Sequence, residues 1–418
     1  MKSQNKSKLL KIIKKPVKKA RSLFVMIFSV NSLLLVLDFI IPKRKDYWIF
    51  PVYFVGAGNL SDNMLAVFES VKTNSNIKKI ILTKEKNIII ENAVNVEILK
   101  MSSFKAVWFL MRAKIIFVQH SVWLDLSKAR YQMIFPWRRF LINLWHGIVV
   151  KDMSHPSSGI INFRGKLEMP NYYVVSSSDS DEVIMKKTFF KTGINNFWIT
   201  GLPRNDFLVM PEKELPKLYK DELQTLRNRL NGKKLIIYTP TYRELNLGGV
   251  YYPFSSRELN DLKNYLHENN AVLGLRYHSY LQPDFIKELI DDEYIIDLSS
   301  EIISDVRMLI REAFIIITDY SSIYIDAMYL QKKLISFAYD IEHYQSIQRG
   351  FFYEFNEVFP GEICHTFDEM MQALVKYEKP LTTIEKGKYD KITQLFFKYL
   401  DSKNTKRLVD KVNNLVSR

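Results

Sequence analysis

Asp319-Tyr320-Ser321-Ser322 is the most informative short stretch of this chain for chemistry. Apolar residues Phe314 to Ile317 precede it and predict a buried strand; Ser321 to Gln331 predicts a helix, and Leu334 to Ala338 the next strand. In a parallel sheet, ligands bind beyond the carboxyl ends of strands, facing the N–H groups of a helix N-terminus. One carboxylate and two hydroxyls at such a turn suit a phosphate. The same residue types also serve as simple helix caps, so the turn alone decides nothing.

Five further predicted strand ends carry chemistry. Ser61-Asp62-Asn63 opens a helix after the strand Tyr47 to Phe54. Trp145-His146-Gly147 closes the strand Leu141 to Trp145, where His146 is placed to act as a general base, and Lys151 follows five residues later. Gly201-Leu202-Pro203-Arg204-Asn205-Asp206 follows the strand Asn196 to Thr200, and Arg204 offers a two-pronged fork to an anion. The alternative there is an Arg–Asp pair closing the turn. Arg243 follows the strand Lys234 to Tyr238, and Arg276-Tyr277-His278 follows Ala271 to Leu275. Glu342 and Arg349 lie in a long segment, Tyr339 to Gly361, that shows no regular pattern. Taken together, the arginines, histidines and serines suggest a substrate with more than one phosphate. No GxxxxGK[ST] and no GxGxxG at a strand end is present, nor an Asp-x-Asp pair of the kind that holds a metal–diphosphate, so cationic side chains and helix dipoles must do the charge work. No metal or cofactor is expected.

The elements that position these residues alternate strand and helix, which predicts parallel sheets covered on both faces. A charged stretch between Pro211 and Asn231 has no strand pattern and predicts a link between domains. The expected organisation is a leader over 1–45, an α/β domain over 46–212, a second over 213–380, and C-terminal helices over 381–418. The fold class is α/β, with two doubly wound domains facing a cleft.

The net charge of +15 among 418 residues resembles a nucleic-acid signal until it is mapped. Residues 1–45 hold twelve Lys or Arg and one acid, Asp38; the remainder holds 48 basic against 44 acidic residues. The body is nearly neutral, which argues against a nucleic-acid partner. The basic leader turns apolar from Leu23 to Ile41 and predicts a segment lying on an anionic membrane surface. A single spanning helix and a helix docked on the body remain alternatives. Positive charge places the body on the cytoplasmic face. The single cysteine, Cys364, excludes a disulfide framework.

The order of these motifs, with Phe337-Ala338-Tyr339-Asp340 and Arg349-Gly350-Phe351 added, resembles the CDP-glycerol glycerophosphotransferases of teichoic-acid synthesis over roughly residues 46–380. The resemblance implies a GT-B fold, a peripheral membrane enzyme, CDP-glycerol as donor, and a lipid-linked glycan or growing poly(glycerol phosphate) chain as acceptor. It implies catalytic roles for His146 and His278. Donor contacts fall on Arg243, Arg276, Asp319, Ser321, Ser322, Glu342 and Arg349. Acceptor-side positions are Asn63, Lys151, Arg204, Asn205 and Asp206. The family commonly continues its His-Gly with Thr-Pro-Leu-Lys and often has His-Pro at the second histidine. Here Ile148-Val149-Val150-Lys151 and Ser279 stand there, which leaves a CDP-ribitol or nucleotide-sugar donor as the alternative.

Overall fold

The computed structural model describes residues 30–417 apart from 53–58, 85–87, 89, 121, 127–135, 151–170, 189–193, 242–250, 278–287 and 345–350. His278, Arg243, Arg349 and Lys151 therefore lie outside the described residues. The chain divides into two compact units, Met1–Asn59 with Lys72–Asn143, and Leu60–Val71 with Leu144–Arg418. The boundary expected at 212/213 falls inside the second unit.

In the first unit, strands β1 (Arg44–Pro51), β2 (Lys78–Thr83), β3 (Val96–Lys100), β4 (Ala113–Val118) and β5 (Phe140–Asn143) follow the spatial order β3-β2-β1-β4-β5. Each resolved pairing is parallel, with Trp48 opposite Ile115 and Ile49 opposite Ile80. The inner strands are nearly continuous apolar runs, because both of their faces are covered. Strand β3 was not expected from the sequence. Its residues Val-Glu-Ile-Leu-Lys mix exposed and half-buried positions, and Ile98 stays exposed at the sheet edge.

The helix Val30–Ile40 belongs to the leader. Its Asp38 is buried with Arg139 and Lys43, and Arg139 Nη1 also donates to the Leu110 carbonyl at 3.0 Å. Leu33, Val36, Leu37, Phe39 and Ile40 remain exposed. The helix is thus docked by its polar residue and keeps an apolar face. No described helix is long and apolar enough to cross a membrane.

In the second unit, β6 (Tyr172–Ser176) and β7 (Phe197–Ile199) pair in parallel. A six-stranded sheet runs β10-β9-β8-β11-β12-β13, built from β8 (Lys234–Thr239), β9 (Ala271–Leu275), β10 (Ile295–Asp297), β11 (Ala313–Thr318), β12 (Lys333–Phe337) and β13 (Glu362–Cys364). All of its pairings are parallel. The core around it includes Ile236, Leu273, Ile315, Ile335, Phe337 and Leu374.

Three expectations need revision here. The helix Lys217–Leu230 is not a bare link: Tyr219, Leu223 and Leu226 are buried, and Glu222 accepts from the Ser304 N–H at 2.8 Å. Its apolar positions recur at helical spacing and bury one face despite the charge on the other. The segment Tyr339 to Gly361 contains short helices at Ile341–His343 and Phe355–Val358, where Phe355 and Val358 are buried. The helix after Asp319 is Ile323–Met328, shorter than expected, and Gln331 closes the turn in the left-handed region at φ 51°.

The C-terminal helices Thr383–Phe396 and Asn404–Ser417 pack within this unit. Ser177 Oγ donates to the Phe396 carbonyl at 2.7 Å, and Thr405 Oγ1 to the Pro203 carbonyl at 3.3 Å. These contacts bring the chain's end onto the turn that carries Arg204.

Candidate active site

His146 follows β5, and its side chain is exposed. The backbone beneath it is unusual. Trp145 sits at φ 54°, in the left-handed region that a bulky residue avoids. Such a conformation costs about 1–3 kcal/mol and persists where its surroundings over-determine it. The surroundings are visible. Asn63 Nδ2 donates to the carbonyls of Leu144 at 3.2 Å and Trp145 at 2.8 Å. Arg204 Nη1 donates to the His146 carbonyl at 2.8 Å, and the Arg204 N–H donates back to Asn63 Oδ1 at 2.9 Å. Three consecutive carbonyls are thus held by two side chains, and the Asn63 amide is itself fixed by the Arg204 backbone N–H. Asn63 reaches them from the first turn of the helix Asp62–Val71. Gly147 completes the turn: a Cβ there would meet Arg204 Nη2 at 3.3 Å.

Arg204 is buried and carries two carboxylates. Its Nη2 donates to Asp326 Oδ2 at 2.8 Å and Oδ1 at 3.1 Å, and its Nη1 lies 3.3 Å from Asp62 Oδ1. Arg307 reaches Asp62 Oδ1 at 3.1 Å and Asp305 Oδ2 at 2.5 Å, and Tyr219 donates to the same Asp305. Burial pushes the Asp62 carboxyl up, but Arg204, Arg307 and His146 outweigh it and hold it below its ordinary value. Asp326 is pushed up by burial even with both arginines nearby. Arg204 is raised, since its carboxylates outweigh its own desolvation.

Arg204 thus presents its fork to carboxylates and a carbonyl. The expectation of an anion contact is replaced by a network whose members come from positions 62, 146, 305, 307 and 326. Arg307 and Asp326 were not singled out from the sequence, and Asp62 only within the motif Ser61-Asp62-Asn63, without a role of its own. The only available signal was the buried setting implied for Asp326, three residues into a short helix after a strand end.

The neighbouring Asn205 and Asp206 are buried. Asp206 accepts from the N–H groups of Asn404 at 2.9 Å and Thr405 at 2.8 Å, capping the last helix, and burial raises its carboxyl to about 6. Asn205 is fully buried, and neither polar atom of its side-chain amide has a partner among the described residues.

Asp319 is fully buried and ties two strand ends together. Its carboxylate accepts from Thr241 N–H at 2.8 Å, from Thr241 Oγ1 at 2.5 Å and from Tyr320 N–H at 2.5 Å. Ser322 occupies the cap position of the following helix without a side-chain bond to it, and its side chain is exposed. Capping therefore does not occupy the serine. Tyr320 anchors the turn from beneath: its ring stacks on Tyr344 at 4.4 Å, and its hydroxyl donates to Asp340 at 3.1 Å. Arg276 differs from expectation. Its guanidinium donates to the carbonyls of Leu298 at 3.0 Å, Ser304 at 3.1 Å and also Ile303, which pins the chain after β10. Glu342 is exposed on the helix Ile341–His343. Among the described residues, no group of three His, Cys, Asp or Glu could hold a metal ion.

Two parallel sheets flanked by helices, with an exposed histidine beyond a strand's carboxyl end, place this protein among the GT-B-like α/β enzymes. The chain belongs to the CDP-Glycerol:Poly(glycerophosphate) glycerophosphotransferase family, whose model matches residues 34–414. It is 27% identical over 377 residues to the teichoic acid poly(glycerol phosphate) polymerase of Bacillus spizizenii, covering 86% of this chain and 89% of that protein. It is 26% identical over 313 residues to the teichoic acid ribitol-phosphate polymerase TarK of Staphylococcus aureus, covering 73% of this chain and 57% of that one. The chain thus spans little more than half of the ribitol enzyme. The solved structure of the wall teichoic acid polymerase TagF superposes with a TM-score of 0.70 over 97% of this chain and 98% of that chain, at 22% identity, and shares the fold.

Proposed function

We propose that this protein transfers glycerol phosphate from CDP-glycerol to a hydroxyl of a lipid-linked acceptor or a growing poly(glycerol phosphate) chain, in teichoic-acid or related surface-polymer synthesis. The acceptor oxygen attacks the β-phosphorus. A new P–O bond forms, the bond to CMP breaks, and CMP departs with the bonding pair. His146 takes the acceptor's proton. The observation that carries this reading is the exposed His146 side chain on a backbone turn clamped at three consecutive carbonyls. Such preorganisation is what a reaction dominated by positioning and electrostatics requires. Ser321 and Ser322 contact the donor phosphates in this reading, and Arg243, His278 and Arg349 supply positive charge.

The similarity to TarK supports a second reading, in which ribitol phosphate is the group moved. Incubating the protein with CDP-glycerol, CDP-ribitol or UDP-sugars and a lipid-linked acceptor separates the two. The expected result is CMP release with CDP-glycerol. Release from CDP-ribitol alone, or turnover of a UDP-sugar alone, overturns the first reading.

The protein works at the cytoplasmic face of the membrane in this proposal. Support comes from the basic leader and from the exposed Leu33, Val36, Leu37, Phe39 and Ile40 on the helix Val30–Ile40. Sedimentation with anionic vesicles measures this. Leu37→Glu with Ile40→Glu is expected to weaken binding several-fold; unchanged binding removes this helix from the interface.

A further inference from the structure

We propose that Arg204, clamped between Asp62 and Asp326, is a positioning residue that sets His146 for proton abstraction and couples it to the helix behind the Ser321–Ser322 turn. The inference rests on the reading of His146 as the base.

The argument begins with what a left-handed Trp145 requires. The turn is unfavourable by itself, so the direction of the His146 side chain depends on whatever holds the carbonyls on either side of it. The carbonyls of Leu144 and Trp145 are held by an amide, Asn63. The carbonyl of His146 is held by a guanidinium, Arg204, in a charge-assisted bond of 2.8 Å. That guanidinium has little freedom: its other terminal nitrogen grips both oxygens of Asp326. Asp62 restrains it from a third direction and is itself held by Arg307. A local Arg–Asp pair would have sufficed merely to close the turn. Asp206 instead binds the last helix, and Arg204 takes its partners from sites 122 and 142 residues away.

Asp326 lies in the helix Ile323–Met328, which follows directly on Ser321 and Ser322. One guanidinium thus connects the element behind the proposed donor turn to the carbonyl of the proposed base. A lysine could not reproduce this, because a single ammonium lacks the planar fork that engages a carboxylate, a second carboxylate and a carbonyl at once. Gly147 is part of the same device, since a side chain there would press on the fork at 3.3 Å.

The test is a double-mutant cycle on the full-length protein. Asp326→Asn is expected to lower kcat by on the order of 10²-fold, the loss associated with a small misplacement of a catalytic group. CDP-glycerol affinity, measured by calorimetry, should stay within about twofold. In a His146→Ala background, Asp326→Asn should cause no further loss, because nothing remains to be positioned. Arg204→Lys should follow Asp326→Asn. An equal loss from Asp326→Asn with and without His146, or a wild-type kcat, overturns the proposal. If Asp326→Asn does not fold, Asp62→Asn carries the same test, since its carboxylate is partly exposed and the Arg204–Asp326 pair survives. It is expected to lose about tenfold in kcat, again only when His146 is present. A His146→Ala enzyme of near-normal activity would defeat the base reading itself; an inactive one beside a fully active Asp326→Asn would defeat only the positioning role.

Discussion

Arg139 in the first unit and Arg204 in the second are both buried guanidiniums, yet their surroundings are opposite in balance. Arg139 shares one carboxylate, Asp38, with a second cation, Lys43. Burial lowers its pKa, and Lys43 is driven down to about 8 by burial and by Arg139. Arg204 stands in a network of two arginines and three carboxylates, Asp62, Asp305 and Asp326, and its pKa is raised instead. The first cluster is short of negative charge and ends on a helix of the leader. The second has negative charge to spare and ends on the carbonyl of His146. Both bury ions, but the second binds the carbonyl of His146, whose side chain is exposed. A buried ion cluster alone therefore does not mark a site; what marks one is the element on which the cluster terminates.

Three changes test that contrast, from the largest effect to the smallest. On the proposed role of His146 as the base, His146→Ala is expected to reduce turnover by about 10²- to 10⁴-fold, with little change in the unfolding midpoint because the side chain is exposed. Turnover within a few-fold of wild type removes His146 as the base. Arg139→Met should do the reverse. The Lys43–Asp38 pair remains, but the Leu110 carbonyl loses its buried donor, at a cost of about 1–3 kcal/mol, seen as a lower urea midpoint, whereas kcat of the folded protein should hold. A loss of kcat with an unchanged midpoint would show that the first cluster, too, serves the chemistry.

The third change concerns pH. Lys43 falls from 10.5 to about 8 on folding, so between these values the unfolded chain binds more protons than the folded one. Its contribution to stability is therefore fully present above the unfolded value and is lost as pH falls through about 8. Stability relative to Lys43→Met should rise between pH 7.5 and 9.5, by an amount on the order of 2 kcal/mol. Parallel pH profiles for the two proteins would mean that Lys43 titrates normally. No such rise is expected from the second cluster, whose arginines stay charged throughout.

Much of the architecture was legible before any coordinate. Ala271–Leu275 has the expected bounds and Lys234–Thr239 exceeds its expected strand by one residue, because continuous apolar runs leave little choice. Strands β3 and β13 were missed. Each is short and lies at the edge of its sheet, where half-buried residues blur the pattern. Tyr339 to Gly361 appeared patternless because the helices described in it, Ile341–His343 and Phe355–Val358, are single turns. At the site, the positions of His146, Asp319 and Arg204 after strands were readable, whereas the partners of the arginines were not. Arg204 and Arg276 both looked free to meet a phosphate. One meets Asp62, Asp326 and a carbonyl; the other meets three carbonyls between residues 298 and 304.

The sequence by itself determined the alternation of strands and helices, the polar turns at strand ends and the confinement of positive charge to the leader. Each of these depends on residues close together in the chain, through periodicity, backbone preference or simple composition. Only the tertiary structure decided what each charged side chain faces. Asp62, Arg204, Arg307 and Asp326 are separated by up to 264 positions in the chain, and burial makes the partners of a charge, more than its type, decide its role. That is why Arg204 looks like a phosphate ligand in the sequence and emerges in the fold as the clamp on His146.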